Sequence, residues 1–353
     1  MSNESFLVGS YTIVDDWIPN AKGEGISRLE LDLHNGKLSH GGLAAAIANP
    51  SYLALSADGN LVCACSELFH SNGKAWTLVP TSDGSLRPVS NRSSLGTATC
   101  HITFDPLRNR VFTSSYLDGR VVGYSTEGAE LADDPVVLEY EGEGPKRNRQ
   151  ESSHPHQLVI RDGAYFVPDL GADRIWVHDA EEPLASGRAF IETPAGFGPR
   201  HLVFHPELPV MYVVCELEPH VLVYEQTASD GTWALVEDHD TELPEYAEAA
   251  APGAIRLHPL SGRTLTVSNR FSDSLQQLSV DADSGRLSAG PNVRLRGKTP
   301  RDFTFSADGR WLVALCQDSD EVFSYPVDPI TGLIKDEPTD RVEMGTPVCI
   351  VGT

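Results

Sequence analysis

The sequence predicts an all-β protein, a seven-bladed β-propeller built from four-stranded antiparallel blades. Three observations predict it: a motif that recurs seven times, turn signals within the repeats, and 30 glycines and 24 prolines among 353 residues. The motif is a small residue or proline, two variable residues and then alternating apolar residues. It starts at Pro50, Thr99, Pro155, Pro199, Pro252, Pro300 and Pro347. The spacings of 49, 56, 44, 53, 48 and 47 residues match the ~40–50 residues of a four-stranded propeller blade.

Each repeat continues with three further strands in a fixed order. An apolar run such as 211–215 follows the first strand, and another such as 221–224 comes next. Turn signals then precede the fourth strand: Asn35-Gly36, Asp83-Gly84, Asp230-Gly231, Ser284-Gly285 and Thr331-Gly332. Asn-Gly and Asp-Gly indicate hairpin turns, because both residues tolerate positive φ. A β-sandwich or a solenoid is the alternative, but seven repeats of four strands favour a closed ring that hides its sheet edges.

The two ends of the chain predict how the ring closes. The last motif, at 347–351, supplies only a first strand. The chain starts with apolar runs at 6–11, 26–31 and 37–39 that fit a second, third and fourth strand. We therefore expect the N- and C-terminal strands to share one blade, and residues 1–353 to form a single propeller domain.

Composition excludes several classes of partner. The 27 Lys and Arg against 50 Asp and Glu give a formal charge of −23, which argues against nucleic acid and anionic membranes, since both attract basic surfaces. No apolar run approaches the ~20 residues that span a bilayer, and residues 1–5 do not resemble a signal peptide. Six cysteines suggest no disulfide framework. We expect a cytoplasmic protein, a monomer or weak dimer, without cofactor.

The repeat also predicts which side chains face the central mouth. The start of each first strand and the end of each second strand should lie near the axis on one face. The residues after the motif's first position are Ser51, Cys100, His156, Arg200, Gly253, Arg301 and Val348. The second strands end near Tyr11, Glu67, Tyr116, Leu170, Glu216, Arg270 and Gln317.

Five of these residues, His156, Arg200, Glu216, Arg270 and Arg301, depart from the small or apolar types that a purely structural repeat favours. Three arginines in an acidic chain suggest an anionic ligand, because guanidinium groups suit carboxylate and phosphate. Histidine is the natural group for proton transfer near neutral pH.

The segment before His156 adds further candidates. Residues 144–156 carry Lys146, Arg147 and Arg149 and lie in the longest interval between motifs. They predict a loop on the same face, either a lip that gathers anions or an ordinary solvated loop. His154 lies two residues before His156, and this pair without further ligands makes a metal site an unfavoured alternative.

Several segments resemble the propeller lactonase family, which includes bacterial 6-phosphogluconolactonase and fungal 3-carboxy-cis,cis-muconate cyclase. They are Ser153–Gln157, Val167–Ile175, Gly198–Pro206, Cys215–Leu217, Val267–Arg270 and Thr299–Phe303. The resemblance implies a seven-bladed propeller that works without metal. It places His156, Arg200, Glu216 and Arg270 at the proposed active-site positions, and Arg149-Gln150 at the Arg-Gln that precedes the histidine motif. Cys215-Glu216 replaces the more usual Asn-Glu, and the first hairpin, through 15–19, is longer than expected.

These observations give a lactonase hypothesis. His156 acts as general base on water, and Arg200 or Arg270 stabilises the oxyanion. Glu216 orients His156, or positions the water or an arginine. Substrate-binding candidates are Arg301, Arg149, His154 and Gln317, and the substrate is a small anionic sugar lactone such as 6-phosphogluconolactone or a related aldono- or aldarolactone.

Three alternatives stay open at this point. The same residues suit a lactone-forming cycloisomerase of the carboxymuconate type. A non-catalytic binding propeller is the second, and it would show an apolar or aromatic patch at the mouth. The third concerns Arg200 alone, which could form a structural ion pair with Glu216 between blades.

Overall fold

The computed structural model describes residues 3–184, 189–227, 231–242, 246 and 251–353. Within these ranges the strands form seven antiparallel sheets, one for each predicted blade, and a short 3-10 turn lies at Gln317–Ser319. Blade I contains β29 Pro347–Gly352, β1 Asn3–Ser10, β2 Ile26–Asp32 and β3 Leu38–Ala45. Blade II contains β4 Leu53–Leu55, β5 Val62–Ser66, β6 Lys74–Pro80 and β7 Leu86–Ser93. Blade III contains β8 Thr99–Asp105, β9 Arg110–Ser115, β10 Arg120–Glu127, β11 Glu130–Leu131 and β12 Val136–Glu139.

The other four blades follow the same order from the axis outward. Blade IV contains β13 Val159–Arg161, β14 Ala164–Asp169, β15 Arg174–Asp179 and β16 Ala189–Glu192. Blade V contains β17 Pro199–Phe204, β18 Val210–Cys215, β19 His220–Gln226 and β20 Trp233–Asp240. Blade VI contains β21 Pro252–Leu257, β22 Thr264–Asn269, β23 Ser274–Val280 and β24 Leu287–Arg294. Blade VII contains β25 Pro300–Phe305, β26 Trp311–Cys316, β27 Glu321–Pro326 and β28 Asp340–Glu343.

The predicted fold class and ring closure are confirmed. Each of the seven motifs leads into the innermost strand of a blade. The C-terminal β29 pairs antiparallel with the N-terminal β1, with Val8 opposite Ile350, so the two ends of the chain complete one sheet. That the whole of 1–353 folds as one cooperative domain stays a prediction.

The apolar core lies between neighbouring blades. Phe6 and Leu29 of blade I, for example, pack with Val313 and Leu315 of blade VII, and all four are almost fully buried. Strand side chains alternate between the two faces of a sheet, so each blade buries apolar residues against both neighbours. Burial of one such side chain contributes about 1.5–3 kcal/mol, and this interlock holds the ring that positions the central mouth.

The fourth-strand turns form where predicted, but their conformation differs from the expectation. The connections at 33–37 and 81–85 are five residues long. Only the glycines adopt the left-handed region, with φ of +73° at Gly36 and +81° at Gly84. The expectation that Asn35 and Asp83 share that conformation was wrong, because the longer loops need one left-handed residue instead of two. Asp230 of the blade V turn lies outside the described residues.

Candidate active site

A cavity of about 260 Å³ lies at the central mouth, where the innermost strands start and the second strands end. Six of the eight predicted site residues line it: Arg149, His154, His156, Glu216, Arg270 and Arg301. Arg200 is buried behind Glu216 and does not line the cavity itself. The predicted face of the ring is therefore the one where these side chains converge.

β-Bulges in the innermost strands turn side chains toward the axis of the ring. The ladder between β17 and β18 skips one residue between Pro199 and His201, which is Arg200. The same shift occurs at Cys100 in blade III and at Arg301 in blade VII. A bulge places two residues opposite one and re-aims a side chain. In these three blades the position after the motif's first residue is an extra residue inserted in the strand, which explains why it leaves the sheet's normal alternation.

Glu216 is the electrostatic centre of the site, because one carboxylate holds three arginines. Its Oε1 accepts a hydrogen bond from Nη2 of Arg149 at 2.6 Å, and its Oε2 accepts one from Nε of Arg200 at 2.9 Å. Nη2 of Arg270 lies 2.9 Å from the same Oε2. Three positive charges against one negative charge leave a positive excess in this cluster.

The pKa values follow from this arrangement. Burial favours a raised pKa for Glu216, but Arg270, Arg200 and Arg149 outweigh it and hold the pKa well below its usual range. Burial, together with Arg200, Arg301 and Arg149, lowers the pKa of Arg270 to about 10 despite the contact with Glu216. Both groups therefore stay charged at neutral pH.

Arg200 joins two blades through its charged group. Its ion pair with Glu216 lies within blade V, while Nη1 donates to the carbonyl of Gly253 in blade VI at 2.7 Å. The alternative that Arg200 forms an ion pair with Glu216 is therefore confirmed, but the expectation that this pair joins two blades was wrong. With these donors engaged and the side chain buried, Arg200 is placed to hold Glu216 in position.

His156 is buried at the wall of the cavity, and its ring contacts Tyr116 and His201 edge to face. No described residue offers a hydrogen-bond partner to its Nδ1. Burial, and then the charge of Arg200, hold the pKa of His156 well below its usual range although Glu216 acts in the opposite direction. The imidazole is therefore neutral at pH 7. Glu216 forms no hydrogen bond with it among the described contacts, so of the roles predicted for Glu216 the structure favours positioning arginines.

His154 stacks on Tyr116, with ring centroids 4.3 Å apart and an interplanar angle of 4°. Its Nδ1 lies 2.7 Å from the carbonyl oxygen of Tyr116, which leaves Nε2 without a hydrogen bond to any described residue. The nearest charge to Nε2 is Oε1 of Glu151, at 3.4 Å. His154 thus lines the cavity with a ring nitrogen that makes no hydrogen bond to a described residue and lies near one carboxylate.

The remaining predicted residues lie elsewhere. Gln317 lies in a neighbouring depression with Trp17 and Asp320, and its Nε2 donates to Asp318. Lys146 pairs with Glu218 at 2.5 Å, and Arg147 pairs with Glu143. None of these three lines the cavity, so Lys146 and Arg147 fit the solvated-loop alternative, and a substrate contact for Gln317 lacks structural support.

Sequence reasoning missed a second polar group in the cavity. Nη2 of Arg301 donates to the hydroxyl of Tyr11 at 2.9 Å, and this hydroxyl donates to Oε2 of Glu67 at 2.6 Å. Burial and then Glu67 raise the pKa of Tyr11 well above its usual range, against the effect of Arg301. Tyr11 and Glu67 both stood at second-strand ends in the repeat alignment. That position was the available signal, since Glu67, like Glu216, is neither small nor apolar.

A wider depression, of about 640 Å³, opens near the ends of the innermost strands β17 and β21, at the opposite mouth of the ring. Two of its three histidines bond to the local backbone: Nδ1 of His205 accepts from the amide of Leu208, and Nδ1 of His258 accepts from that of Ser261. The third, His201, lies beside Nη1 of Arg200. We therefore take the smaller cavity as the candidate active site, because its lining side chains include buried polar atoms without a hydrogen-bond partner among the described residues and those of the larger depression do not.

The described residues hold no group of three His, Cys, Asp or Glu side chains arranged to bind a metal ion. All six cysteines are free and buried, and burial raises the pKa of Cys63 and Cys65 to about 12, as expected of core thiols. No helix in the described part of the chain has the length and apolar character to cross a membrane.

Fold and site together define a seven-bladed propeller with a polar, arginine-rich cavity at its central mouth. The family described as "Lactonase, 7-bladed beta-propeller" matches residues 5–352. The chain belongs to this seven-bladed propeller lactonase family, as the sequence resemblance implied.

Individual relatives align with this chain over almost their full length. The chain is 27% identical over 346 residues to 6-phosphogluconolactonase of Bacillus subtilis, covering 97% of this chain and 96% of the relative. It is 24% identical over 352 residues to 6-phosphogluconolactonase of Formosa agariphila, covering 96% and 97%. The structure of the periplasmic gluconolactonase of Pseudomonas aeruginosa superposes with a TM-score of 0.88 at 27% identity, with 99% of each chain covered. These similarities support lactonase activity.

Proposed function

We propose that this protein hydrolyses a small anionic sugar lactone, 6-phosphogluconolactone or a related aldono- or aldarolactone, by metal-independent general acid–base catalysis. One observation carries the proposal. Nδ1 of His156 and Nε2 of His154 are buried and lack a hydrogen-bond partner among the described residues, and both side chains line one cavity with Arg270, whose Nη2 contacts Glu216 as an ion pair. Buried polar atoms are rarely left unpaired, so this set fits a site that a polar ligand completes.

The chemistry follows from the charge states. Neutral His156 takes a proton from water as the water oxygen attacks the lactone carbonyl carbon. The negative charge that develops on the carbonyl oxygen is stabilised by Arg270, whose Nη2 lacks a directed hydrogen bond. When the ring C–O bond breaks, the protonated His156 returns its proton to the departing alkoxide. The product is an open-chain hydroxy acid, ionised at neutral pH.

Other residues have supporting roles in this proposal. Arg200 is a positioning residue, because it reaches the reaction only through Glu216. Arg149 keeps 41% of its side chain exposed at the rim and, with Arg301, is suited to hold a phosphate or carboxylate. The convergence of these groups favours an enzyme over a binding scaffold. The cytoplasm as location, and a monomer or weak dimer as assembly state, remain proposals.

The substrate is tested by a pH-stat screen of 6-phosphogluconolactone, unphosphorylated aldonolactones and muconolactones, with enzyme-free blanks for spontaneous hydrolysis. We expect the fastest turnover with an anionic sugar lactone, unchanged in the presence of EDTA. Turnover of muconolactones alone would replace the proposal with the cycloisomerase alternative, and loss of activity with EDTA would contradict the metal-independent mechanism.

The general base is tested by His156→Gln. We expect kcat to fall by about 10²–10⁴, the usual contribution of a positioned base. Because the lowered pKa keeps His156 neutral, kcat/KM of the wild type should stay flat from pH 8 down to about pH 6 and fall only in stronger acid. His101→Gln is the matched control, since His101 is buried near the axis but does not line the cavity. A His156→Gln rate close to that of the wild type would remove His156 from this role.

A further inference from the structure

The mouth carries an aromatic pair that the proposed chemistry does not use. Trp17 and Phe69 stack with ring centroids 5.2 Å apart and an interplanar angle of 7°, and both line the cavity. Trp17 is 54% exposed, which is unusual for so large an apolar side chain. The alternative of a binding propeller predicted an aromatic patch at this mouth, but the pair comes from loops instead of strand ends and shares its cavity with the charged residues.

Loop length distinguishes these two blades from the others. The connection from second to third strand has four residues in each of blades III to VII: 116–119, 170–173, 216–219, 270–273 and 317–320. In blade I it has fifteen residues, 11–25, and in blade II it has seven, 67–73. The two extended connections are neighbours, and each supplies one ring of the stacked pair.

Side-chain hydrogen bonds to the backbone hold both loops in place. Oδ1 of Asn49 accepts from the backbone amides of Thr12 and Ile13 at 2.8 and 2.9 Å, and its Nδ2 donates to the carbonyl of Glu67 at 2.9 Å. Oδ1 of Asp15 accepts from the amides of Trp17 and Ile18 at 2.8 and 2.9 Å. One buried side chain therefore ties the loop of Trp17 to the segment that leads to Phe69.

The order of blades places the pair across the cavity from the charged cluster. Counting around the ring, three steps separate blade V, which carries Glu216 and Arg200, from blade I in one direction and from blade II in the other. The cavity thus has an aromatic wall on the side of blades I and II and arginines around Glu216 on the opposite side. A ligand that fills it should combine an apolar face with an anionic or polar end.

We propose that Trp17 and Phe69 are specificity-determining residues that form a wall on which the C–H face of the lactone ring lies while its carbonyl faces Arg270 and His156. This inference rests on the proposed lactonase function. The ring of a sugar lactone has C–H groups on its faces and oxygens at its edge, so a flat aromatic surface suits the ring form better than the open-chain product. Aromatic rings supply such contact area with little conformational freedom to lose.

The wall is tested by binding, with 1,5-anhydroglucitol 6-phosphate as the probe, because it has the six-membered ring and the phosphate but no carbonyl to hydrolyse. In calorimetric titrations we expect Trp17→Ala and Phe69→Ala to bind it at least about tenfold more weakly than the wild type, about 1.4 kcal/mol. Trp17→Phe should stay within about threefold. Phe190→Ala, which removes a partly exposed aromatic ring from the outer strand β16, should leave the affinity unchanged.

A second probe distinguishes binding by the aromatic wall from binding by the arginines. Inorganic phosphate should bind the wild type and Trp17→Ala equally well, and Trp17→Ala should raise KM for the lactone while kcat stays within about twofold. Equal affinity of wild type and Trp17→Ala for the ring probe, failure of the wild type to bind it, or an equal loss of phosphate binding would each overturn the inference. If the wild type hydrolyses no lactone, the proposed function fails, while the titration still decides whether the wall binds a ring.

Discussion

At the residue scale, Glu216 decides the character of the site. A buried carboxylate is costly unless it is paired, and here it is paired three times, with Arg149, Arg200 and Arg270. The arginines depend on it equally, because without it three buried or half-buried positive charges would repel one another. Glu216 is therefore as much a structural residue as a functional one.

Glu216→Gln should destabilise the protein by about 3–5 kcal/mol at pH 7, the usual cost of leaving buried charges without a partner. The pKa of Glu216 is lowered in the folded state, so its contribution is fully present above the unfolded pKa of about 4.3. It is lost as the pH falls from there toward the folded pKa. Urea unfolding at pH 7, 5 and 3.5 should show the difference between wild type and variant shrinking toward acid.

The matched control for this prediction is Glu218→Gln. Glu218 lies two residues away, is half exposed and pairs with Lys146, and an exposed pair contributes about 0–1 kcal/mol. If both variants lost the same stability, or if the Glu216→Gln deficit did not change with pH, the central role of this carboxylate would be contradicted.

At the scale of elements, bulges and loops shape the mouth more than the strands do. The bulges at Cys100, Arg200 and Arg301 turn one residue per blade toward the axis. The long connections of blades I and II then cover one side. Asn49 ties these two connections together: it precedes the motif of blade II, is fully buried, and has a φ of +40°.

Asn49→Gly and Asn49→Ala separate the side chain of this residue from its backbone conformation. Both remove the bonds to Thr12, Ile13 and Glu67, so each should cost about 1–3 kcal/mol per buried group left unpaired. Alanine in the left-handed region should cost about 1 kcal/mol more than glycine. Urea unfolding measures both values, and a more stable alanine variant would show that backbone strain at residue 49 is unimportant. KM should rise in both, because the loop of Trp17 loses its anchor.

At the scale of the whole molecule, the ring is closed by a single strand. β29 completes blade I against β1, and its Ile350 belongs to the core shared by blades I and VII. A propeller hides its edges only while the ring is closed. The molecule therefore should not tolerate an open blade.

Deleting residues after Gly345 should abolish the single cooperative unfolding transition and leave a largely unfolded or aggregated chain. Circular dichroism and thermal unfolding would show this, with deletion of Thr353 alone as the control, since that residue follows the last strand. A truncated chain that kept a stable folded remainder would contradict the single-domain ring.

The sequence predicted the repeat, its register and its closure because all three are local or periodic properties. The motifs beginning at Pro199 and Pro300, for instance, each mark an innermost strand within one residue. The same alignment placed His156, Glu216, Arg270 and Arg301 at the cavity. It placed Gln317 there too, although the short 3-10 turn that starts at this residue directs it to a neighbouring depression.

The sequence alone determined the fold, the face that carries the site and the types of group that meet there, because a blade repeats its own pattern of strands and turns. Only the tertiary structure decided how those groups pair. Glu216 contacts three arginines instead of orienting His156. Arg200 is buried behind Glu216 and does not line the cavity. The rest of the cavity wall includes Tyr11, Glu67, Trp17 and Phe69. These contacts join residues from different blades and from loops of unequal length, and their distances depend on how the blades pack around the ring, which no local pattern encodes.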